Sequence, residues 1–303
     1  MPVSNRHILE QGSALSALGR VVLRSAEHAL LGQKPTKRAA QVPGPKLEFT
    51  LPPRSAALIH DYVQNVGGDP SLYRDSLPPH FFPQWGFGSA SRAMEGVPYP
   101  MSRVLNVGSN FEVRKPMPAR EPLHVSAQLV DVDDDGRRAV LTARIVTSTP
   151  SAPEALIAEI VSFVPLKRSK SDKSEKGSGA KKEQPTVPVD ARELAQFELG
   201  ARAGLDFAKL TGDFNPIHWL KPAARASGFP NVILHGFGTM ARTIEVLNRT
   251  VFEGDPSKLK KWSCRFTKPL VLPALATVFV RGNEVYVGAA AGGYAYLVGS
   301  FES

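Results

Sequence analysis

Apolar and polar residues alternate in two groups of short runs, one group in each half of the chain. The runs are rich in branched and aromatic residues, and turn residues such as Gly292-Gly293 separate them, so they predict strands. The predicted strands lie at 123–132, 139–147, 155–164, 276–281, 284–289 and 294–301. A segment of small and apolar residues precedes each group and predicts a buried helix. The order is helix first and antiparallel meander second, which indicates an α+β protein and not a βαβ nucleotide-binding sheet.

The two halves of the chain repeat one design. Residues 85–92 read WGFGSASR, and residues 235–242 read HGFGTMAR. A strand-like segment that ends in Lys-Pro follows each of them, at 111–117 and at 264–270. Self-similarity on this scale indicates a duplicated structural unit. We therefore predict four regions, which are an N-terminal extension at 1–50, a first unit at 51–166, a linker at 167–188 and a second unit at 189–303.

The net charge of the 303-residue chain is +9, but the charge is unevenly distributed. Residues 167–182 hold seven Lys or Arg against two acidic residues, in a segment that is rich in Ser, Gly and Lys. Such a segment is typical of a solvated linker. The remaining surplus is modest, so we expect no nucleic-acid partner, although a polyanionic small molecule would suit it.

Targeting and redox signals are few. Cys264 is the one cysteine, so an intrachain disulfide is impossible. The uncharged stretch at 285–301 is broken by glycines, and the N-terminus lacks a continuous apolar signal core. We therefore expect a cytoplasmic protein without a membrane span, and the alternative is that an amphipathic helix at 14–24 belongs to a transit peptide.

The most informative residues lie in the second unit. Residues 210–218 read LTGDFNPIH, and Gly228-Phe229 and His235-Gly236 follow. The carboxylate of Asp213 and the imidazole of His218 can converge on one water if the intervening Asn-Pro forces a turn. This segment resembles the signature of MaoC-like (R)-specific enoyl-CoA hydratases, also called hydratase 2. The duplicated layout resembles the double hot-dog members of that family.

The resemblance implies both a fold and a reaction. The fold would be a double hot dog, in which each unit wraps an antiparallel sheet around a long buried helix. The reaction would be the reversible hydration of trans-2-enoyl thioesters to (R)-3-hydroxyacyl thioesters, catalysed by a hydro-lyase without a cofactor. The substrate would be a thioester of coenzyme A or of acyl carrier protein. The protein would be a monomeric pseudo-dimer or a homodimer.

The predicted catalytic residues are Asp213, His218 and Gly236. His218 would activate the water, while Asp213 would orient it and help to deliver a proton. The backbone N–H of Gly236, at a helix start, would stabilise negative charge on the thioester oxygen. The predicted supporting residues and substrate contacts are Gly212, Asn215, Pro216, His235, Phe229 and Phe237. No metal site is expected, because the two histidines have no third ligand at a recognisable spacing.

The first unit departs from this pattern. Its counterpart of the catalytic segment is Gly67-Gly68-Asp69-Pro70, which lacks the Asn-Pro-x-His element. Trp85 stands in the place of His235. We therefore predict that the first unit is not catalytic and instead shapes the acyl pocket.

Two other functions are compatible with the sequence. A hot-dog thioesterase would need a carboxylate on the buried helix of the partner unit, where Glu95 comes late, near the expected helix end. A non-catalytic acyl-thioester-binding protein would use the basic linker to contact a partner.

Overall fold

The computed structural model describes residues 2–12, 40–101, 104–166 and 183–303. In these ranges ten strands lie at Leu47–Leu51 (β1), Leu105–Val113 (β2), Leu123–Asp134 (β3), Arg138–Ser148 (β4), Leu156–Pro165 (β5), Arg192–Leu199 (β6), Lys261–Phe266 (β7), Ala274–Arg281 (β8), Glu284–Gly288 (β9) and Ala295–Glu302 (β10). The α-helices lie at Ala56–Asn65 (α1), Pro83–Ala93 (α2), Ala203–Thr211 (α3), Lys221–Ala226 (α4) and Gly236–Thr250 (α5). Short 3-10 helices lie at Asn5–Gln11, Pro70–Tyr73, Pro79–Phe81, Pro216–His218 and Pro256–Lys258.

All ten strands form one antiparallel sheet whose two halves have the same topology. From the outer edge to the centre, the first half runs β1, β3, β4, β5, β2, and the second half runs β6, β8, β9, β10, β7. Helix α2 packs against β3, β4 and β1, and α5 packs against strands of the second half and against β2. The predicted α+β architecture, with a helix wrapped by an antiparallel sheet in each half, is confirmed.

Strands β2 and β7 join the two halves at the centre of the sheet. They pair from Gly108, opposite Arg265, to Glu112, opposite Lys261. Above this seam the helices touch through aromatic rings, since Phe237 of α5 lies edge-on to Phe87 of α2, with ring centroids 5.0 Å apart. One apolar core continues across both halves. The shared core and the paired strands therefore fix the position of one half relative to the other.

Several elements differ from the sequence prediction. Strand β1 crosses residue 50, where the N-terminal extension was predicted to end, because its backbone pairs with β3. The segments that end in Lys-Pro leave the sheet earlier than predicted, at Val113 and Phe266. The two residues before each proline donate to one shared backbone oxygen, that of Ala155 in the first half and that of Tyr296 in the second, so the regular ladder ends there. Helix α5 begins at Gly236, within its repeated Gly-x-Gly segment. Helix α2 begins at Pro83, three residues before the equivalent Gly86.

Part of the N-terminal region packs on the two halves. The Asn5–Gln11 helix places Nε2 of His7 2.7 Å from Oδ2 of Asp61 on α1. The side-chain amide of Gln11 donates to the backbone oxygens of Lys209 and Leu210 on α3, at 3.1 and 3.2 Å. Residues 13–39 and the basic segment 167–182 lie outside the described residues. Among the described helices, none has both the length and the apolar character that a membrane crossing needs.

A buried polar cluster connects α5 to the first half. Oε1 of Glu245 accepts a hydrogen bond from the hydroxyl of Tyr73 and lies 2.8 Å from Nε2 of His80. The amide of Asn248 donates to the other carboxylate oxygen at 3.2 Å. Burial alone would raise the pKa of Glu245, but the hydrogen bonds and the charge of His80 lower it overall. Gly68 is required here, because a Cβ on it would overlap the Glu245 carboxylate.

Candidate active site

The turn after α3 brings the carboxylate and the imidazole of the motif together. Gly212 ends the helix with a φ of 80°, a left-handed conformation that favours glycine. Asn215 then caps the next 3-10 helix, because its Oδ1 accepts from the N–H of Ile217 at 3.3 Å. The N–H of Asn215 donates to Oδ1 of Asp213, also at 3.3 Å. As a result, Asp213 and His218 line the same cavity.

One hydrogen bond fixes the ring of His218, which is 8% exposed. Nδ1 donates to the backbone oxygen of Ile233 at 2.9 Å, which assigns the ring proton to Nδ1 and leaves the lone pair on Nε2. Burial lowers the pKa of His218, although the charge of Asp213 and the hydrogen bond to Ile233 oppose the shift. A neutral imidazole with a free Nε2 is the form that a general base requires. Gly204 of α3 makes room for this turn, since a Cβ there would overlap the backbone oxygen of His218.

Asp213 has different surroundings from His218. Its side chain is 20% exposed, toward the cavity. Burial raises the pKa of Asp213, while the charge of His218 and the N–H of Asn215 act in the opposite direction. The backbone oxygen of Asp213 accepts a hydrogen bond from Nε2 of His235 at 2.9 Å. This bond ties the loop to the start of α5.

His235 lies directly behind His218. The two rings stack with their centroids 3.5 Å apart and their planes 24° apart. Burial, together with the charge that His218 would carry, lowers the pKa of His235 well below its usual value. His235 is the residue before α5, and its bond to the Asp213 loop fits the structural role predicted for it.

The first turn of α5 faces the cavity at Gly236. Within the described part of the chain, the N–H of Gly236 has no backbone acceptor, since the helical bonding pattern starts with Gly238, which donates to His235. A Cβ on Gly236 would overlap the ring of Phe266, so only glycine fits this approach. A free N–H at a helix N-terminus favours an oxygen that carries negative charge.

These groups line a cavity of about 680 Å³. All nine residues that the sequence predicts for the site contribute to its surface, including Phe229 and Phe237. The opposite wall comes from the first half and is mainly apolar, being formed by Phe87, Ala90, Met94, Met101, Val104, Leu105, Val107, Ile160 and Phe163. Of the described residues that line the cavity, Lys268 alone is cationic, and its Nζ lies 4.7 Å from the centre of the Tyr294 ring.

The sequence did not identify the individual residues of the first-half wall. Their positions depend on the pairing of β2 with β7, which short-range patterns do not reveal. Lys268 could have been found from its repeated Lys-Pro context, although that repeat also occurs at Lys115, which does not line the cavity.

Asp213, His218 and His235 also offer three potential metal-ligand atoms within 4.8 Å of one another. The potential third ligand, which spacing alone did not reveal, is Asp213. Each histidine already commits one ring nitrogen to a backbone oxygen. The geometry thus permits an ion, but the same atoms are arranged for acid–base chemistry without one, and a metal-free site stays a prediction.

Comparison with known proteins finds a family match in the second half of the chain. The family model described as MaoC like domain matches residues 180–287, which include all nine predicted site residues. Enoyl-CoA hydratase ChsH3 of Mycobacterium tuberculosis is 26% identical over 174 residues, which cover 56% of this chain and 58% of the relative. Peroxisomal enoyl-CoA hydratase 2 of Arabidopsis thaliana is 26% identical over 204 residues, which cover 62% and 63%. The match spans less than two thirds of either relative.

Solved structures share the fold along most of the chain. The crystal structure of HtdX from Mycobacterium tuberculosis has a TM-score of 0.66 at 20% identity, covering 85% of this chain and 99% of the other. A Mycobacterium tuberculosis protein described as a double hot-dog fold has a TM-score of 0.55 at 12% identity, covering 86% and 96%. The second half of this chain therefore matches a MaoC like domain, and the chain as a whole has the double hot-dog fold.

The first half of this chain has a different loop at the equivalent place. Gly67 has the same φ of 80° as its counterpart after α3. Asp69 is exposed, however, and only caps the Pro70–Tyr73 helix through the N–H of Ser71 at 2.8 Å. Trp85 is buried and donates to the hydroxyl of Thr147 at 3.0 Å. This half therefore presents no carboxylate–imidazole pair on a cavity in the described residues.

Proposed function

We propose that the protein catalyses the reversible hydration of trans-2-enoyl thioesters to (R)-3-hydroxyacyl thioesters. One observation carries the proposal, namely that the free Nε2 of His218, the carboxylate of Asp213 and the free N–H of Gly236 line one largely apolar cavity. Hydration of a conjugated thioester needs a base for water, a proton for the α-carbon and a donor for the thioester oxygen. The site offers one group for each requirement.

In the proposed reaction, a water lies between Asp213 and Nε2 of His218. Nε2 takes a proton from the water as its oxygen bonds to the β-carbon, and the electron pair of the double bond moves toward the thioester oxygen. The N–H of Gly236 stabilises that charge. The α-carbon then receives a proton from the Asp213–His218 pair, so the sum is the addition of one water. The same steps in reverse remove water from a 3-hydroxyacyl thioester.

The relatives support the same reaction class and a coenzyme A thioester as substrate. ChsH3 and the Arabidopsis protein are both named as enoyl-CoA hydratases. We propose that the first unit, residues 51–166, is non-catalytic and supplies the acyl wall. Lys268 would contact the carrier, since a cation at the cavity suits the phosphates of coenzyme A or of a phosphopantetheine arm.

A thioesterase has less support from the site. It would need a carboxylate on the helix that faces the catalytic loop, and α2 has none between Pro83 and Ala93. Glu95 follows the end of that helix and is exposed. Release of free thiol from an acyl-CoA would nevertheless distinguish this activity from hydration.

The test is ultraviolet absorbance of trans-2-enoyl-CoA incubated with the protein, followed by chiral analysis of the product. We expect loss of the enoyl signal, formation of the (R)-3-hydroxy product and no thiol release. His218→Gln should lower kcat about 10²- to 10⁴-fold, the range that a general base contributes. His124→Gln makes the same change at an exposed histidine of β3 and should retain activity. Full activity of His218→Gln would refute the assignment.

A further inference from the structure

Among the described residues, three polar side chains interrupt the apolar wall that the first half contributes to the cavity. They are Ser91 of α2, Asn106 of β2 and Ser162 of β5. Ser162 is 1% exposed and occupies the inward-facing row of its strand, whose other members are Leu156, Ala158, Ile160 and Val164. A hydroxyl in such a row reduces apolar burial, so it is expected to serve a hydrogen bond.

An irregularity in β2 turns Asn106 toward the same wall. Asn106 pairs with Ser162, but Gly108 pairs with Val161, so Val107 is an extra residue in the ladder. Successive residues of a regular strand point to opposite faces. Here both Asn106 and Val107 line the cavity. A bulge that re-aims side chains is typical of strands beside binding sites.

The two polar groups form a hydrogen-bonded pair that leaves the amide nitrogen of Asn106 unused. Oγ of Ser162 donates to Oδ1 of Asn106 at 3.3 Å, which directs the amide nitrogen away from the serine. Within the described residues, Nδ2 of Asn106 donates to no protein acceptor. Asn106 is only partly buried, because this side chain faces the cavity. The wall therefore presents an amide donor to whatever fills the cavity.

We propose that Asn106, held by Ser162, binds an oxygen substituent on the acyl chain of the substrate, either a ketone or a hydroxyl. This inference rests on the proposed hydration, because the acyl chain fills the same cavity as the reacting carbons. A plain alkyl chain would remove water from Nδ2 without replacing its hydrogen bond, which is unfavourable. A ketone or hydroxyl oxygen at that depth accepts the bond. The substrate class is thus an oxygenated 2-enoyl thioester.

The experiment compares trans-2-decenoyl-CoA with analogues that each carry one ketone at a different carbon in the distal half of the chain. We expect the wild-type kcat/KM for at least one analogue to exceed that of the alkyl substrate about fivefold to tenfold. Asn106→Asp, which replaces the donor by an oxygen of similar shape, and Asn106→Leu should both lose this preference. Asn110→Leu changes the same strand outside this cavity and should keep it.

Two results would overturn the inference. In the first, no ketone analogue has a higher kcat/KM than the alkyl substrate with the wild-type protein. In the second, the preference for a ketone analogue persists in both Asn106 variants. Calorimetric binding of decanoyl-CoA and its ketone analogues, which contain no double bond to hydrate, gives a readout independent of turnover. Tighter binding of a ketone analogue that is lost in Asn106→Asp supports the inference even if no enoyl-CoA reacts. In that case the proposed reaction fails and the polar subsite stands.

Discussion

The imidazole rings of His218 and His235 are stacked face to face, with their centroids 3.5 Å apart, and each ring donates one proton to a backbone oxygen. A positive charge on one ring raises the cost of a charge on the other, and both rings are already removed from bulk water. Burial therefore keeps the proposed base neutral, and the charge that His218 would carry adds to the effect of burial on the pKa of His235.

The first prediction concerns the pH dependence of activity. Burial lowers the pKa of His218, so Nε2 stays free below the ordinary histidine pKa of about 6.5. Activity should fall only as the pH drops through this lowered value, and kcat/KM measured against pH should place the acid limb below about 6.5. Because the charge of Asp213 raises the pKa of His218, Asp213→Asn should move the His218 titration to still lower pH, as measured by NMR. An acid limb above the ordinary histidine value would contradict the assignment.

The second prediction concerns the start of α5. Gly236→Ala should reduce kcat about 10²-fold or more, the effect of losing one oxyanion donor. The added Cβ would overlap the ring of Phe266 and displace the N–H that faces the cavity. Gly238→Ala is the matched control, because its Cβ would meet Leu234 and Phe207 at ordinary contact distances of 3.4 Å. Steady-state kinetics would compare the two variants, with circular dichroism to check that both are folded. An equal decrease of kcat in both variants would argue against a specific role for Gly236.

The third prediction separates the carrier from the acyl chain. Lys268→Ala should raise KM for an enoyl-CoA severalfold and leave KM for the same enoyl group on N-acetylcysteamine nearly unchanged. A lysine that binds phosphate acts only on the substrate that carries phosphate. Lys258→Ala removes a lysine that pairs with Glu253 and does not line the cavity, so neither KM should change. An equal increase in KM for both thioesters would instead place Lys268 among the residues that shape the acyl site.

The fourth prediction concerns stability. Glu245→Ala should lower the free energy of unfolding by about 3–5 kcal/mol, because it leaves His80 and Tyr73 without their buried partner. Glu253→Ala removes a carboxylate that is 83% exposed and should leave the free energy of unfolding nearly unchanged. Urea denaturation of both variants gives the comparison. A Glu245→Ala protein as stable as the Glu253→Ala protein would show that the cluster does not hold the two halves together.

Sequence patterns predicted the elements whose signal is local. The six predicted strands are present within a few residues of their observed bounds, since alternation and turn residues specify them directly. Strand β6 was missed because both of its faces carry polar residues, which hides the period of two. Strand β1 spans only Leu47–Leu51 and follows a proline-rich stretch. Short edge strands of this kind become recognisable only through their partners.

The candidate catalytic loop was predictable because its residues are close in sequence and rare in combination. The stack of His235 on His218 was not, because 17 residues separate the two rings and only the fold of the loop between them brings them together. The pair of Asn106 and Ser162 depends on a bulge and on strand register, which no local pattern encodes. Glu245 looked like any polar residue of a helix, and its burial depends on a loop of the other half.

The β2–β7 seam changes how mutation acts on this protein. In a homodimer whose two subunits form such a sheet, every mutation is present in both subunits. The same mutation would then lie beside the reacting carbons in one subunit and in the opposite wall of the cavity in the other. Here the seam joins two diverged copies within one polypeptide. A change at Asn106 or Phe163 therefore alters only the first-half wall of the cavity, and the sequence around Asp213 is not altered with it. Selection can then adjust substrate preference and chemistry as separate traits.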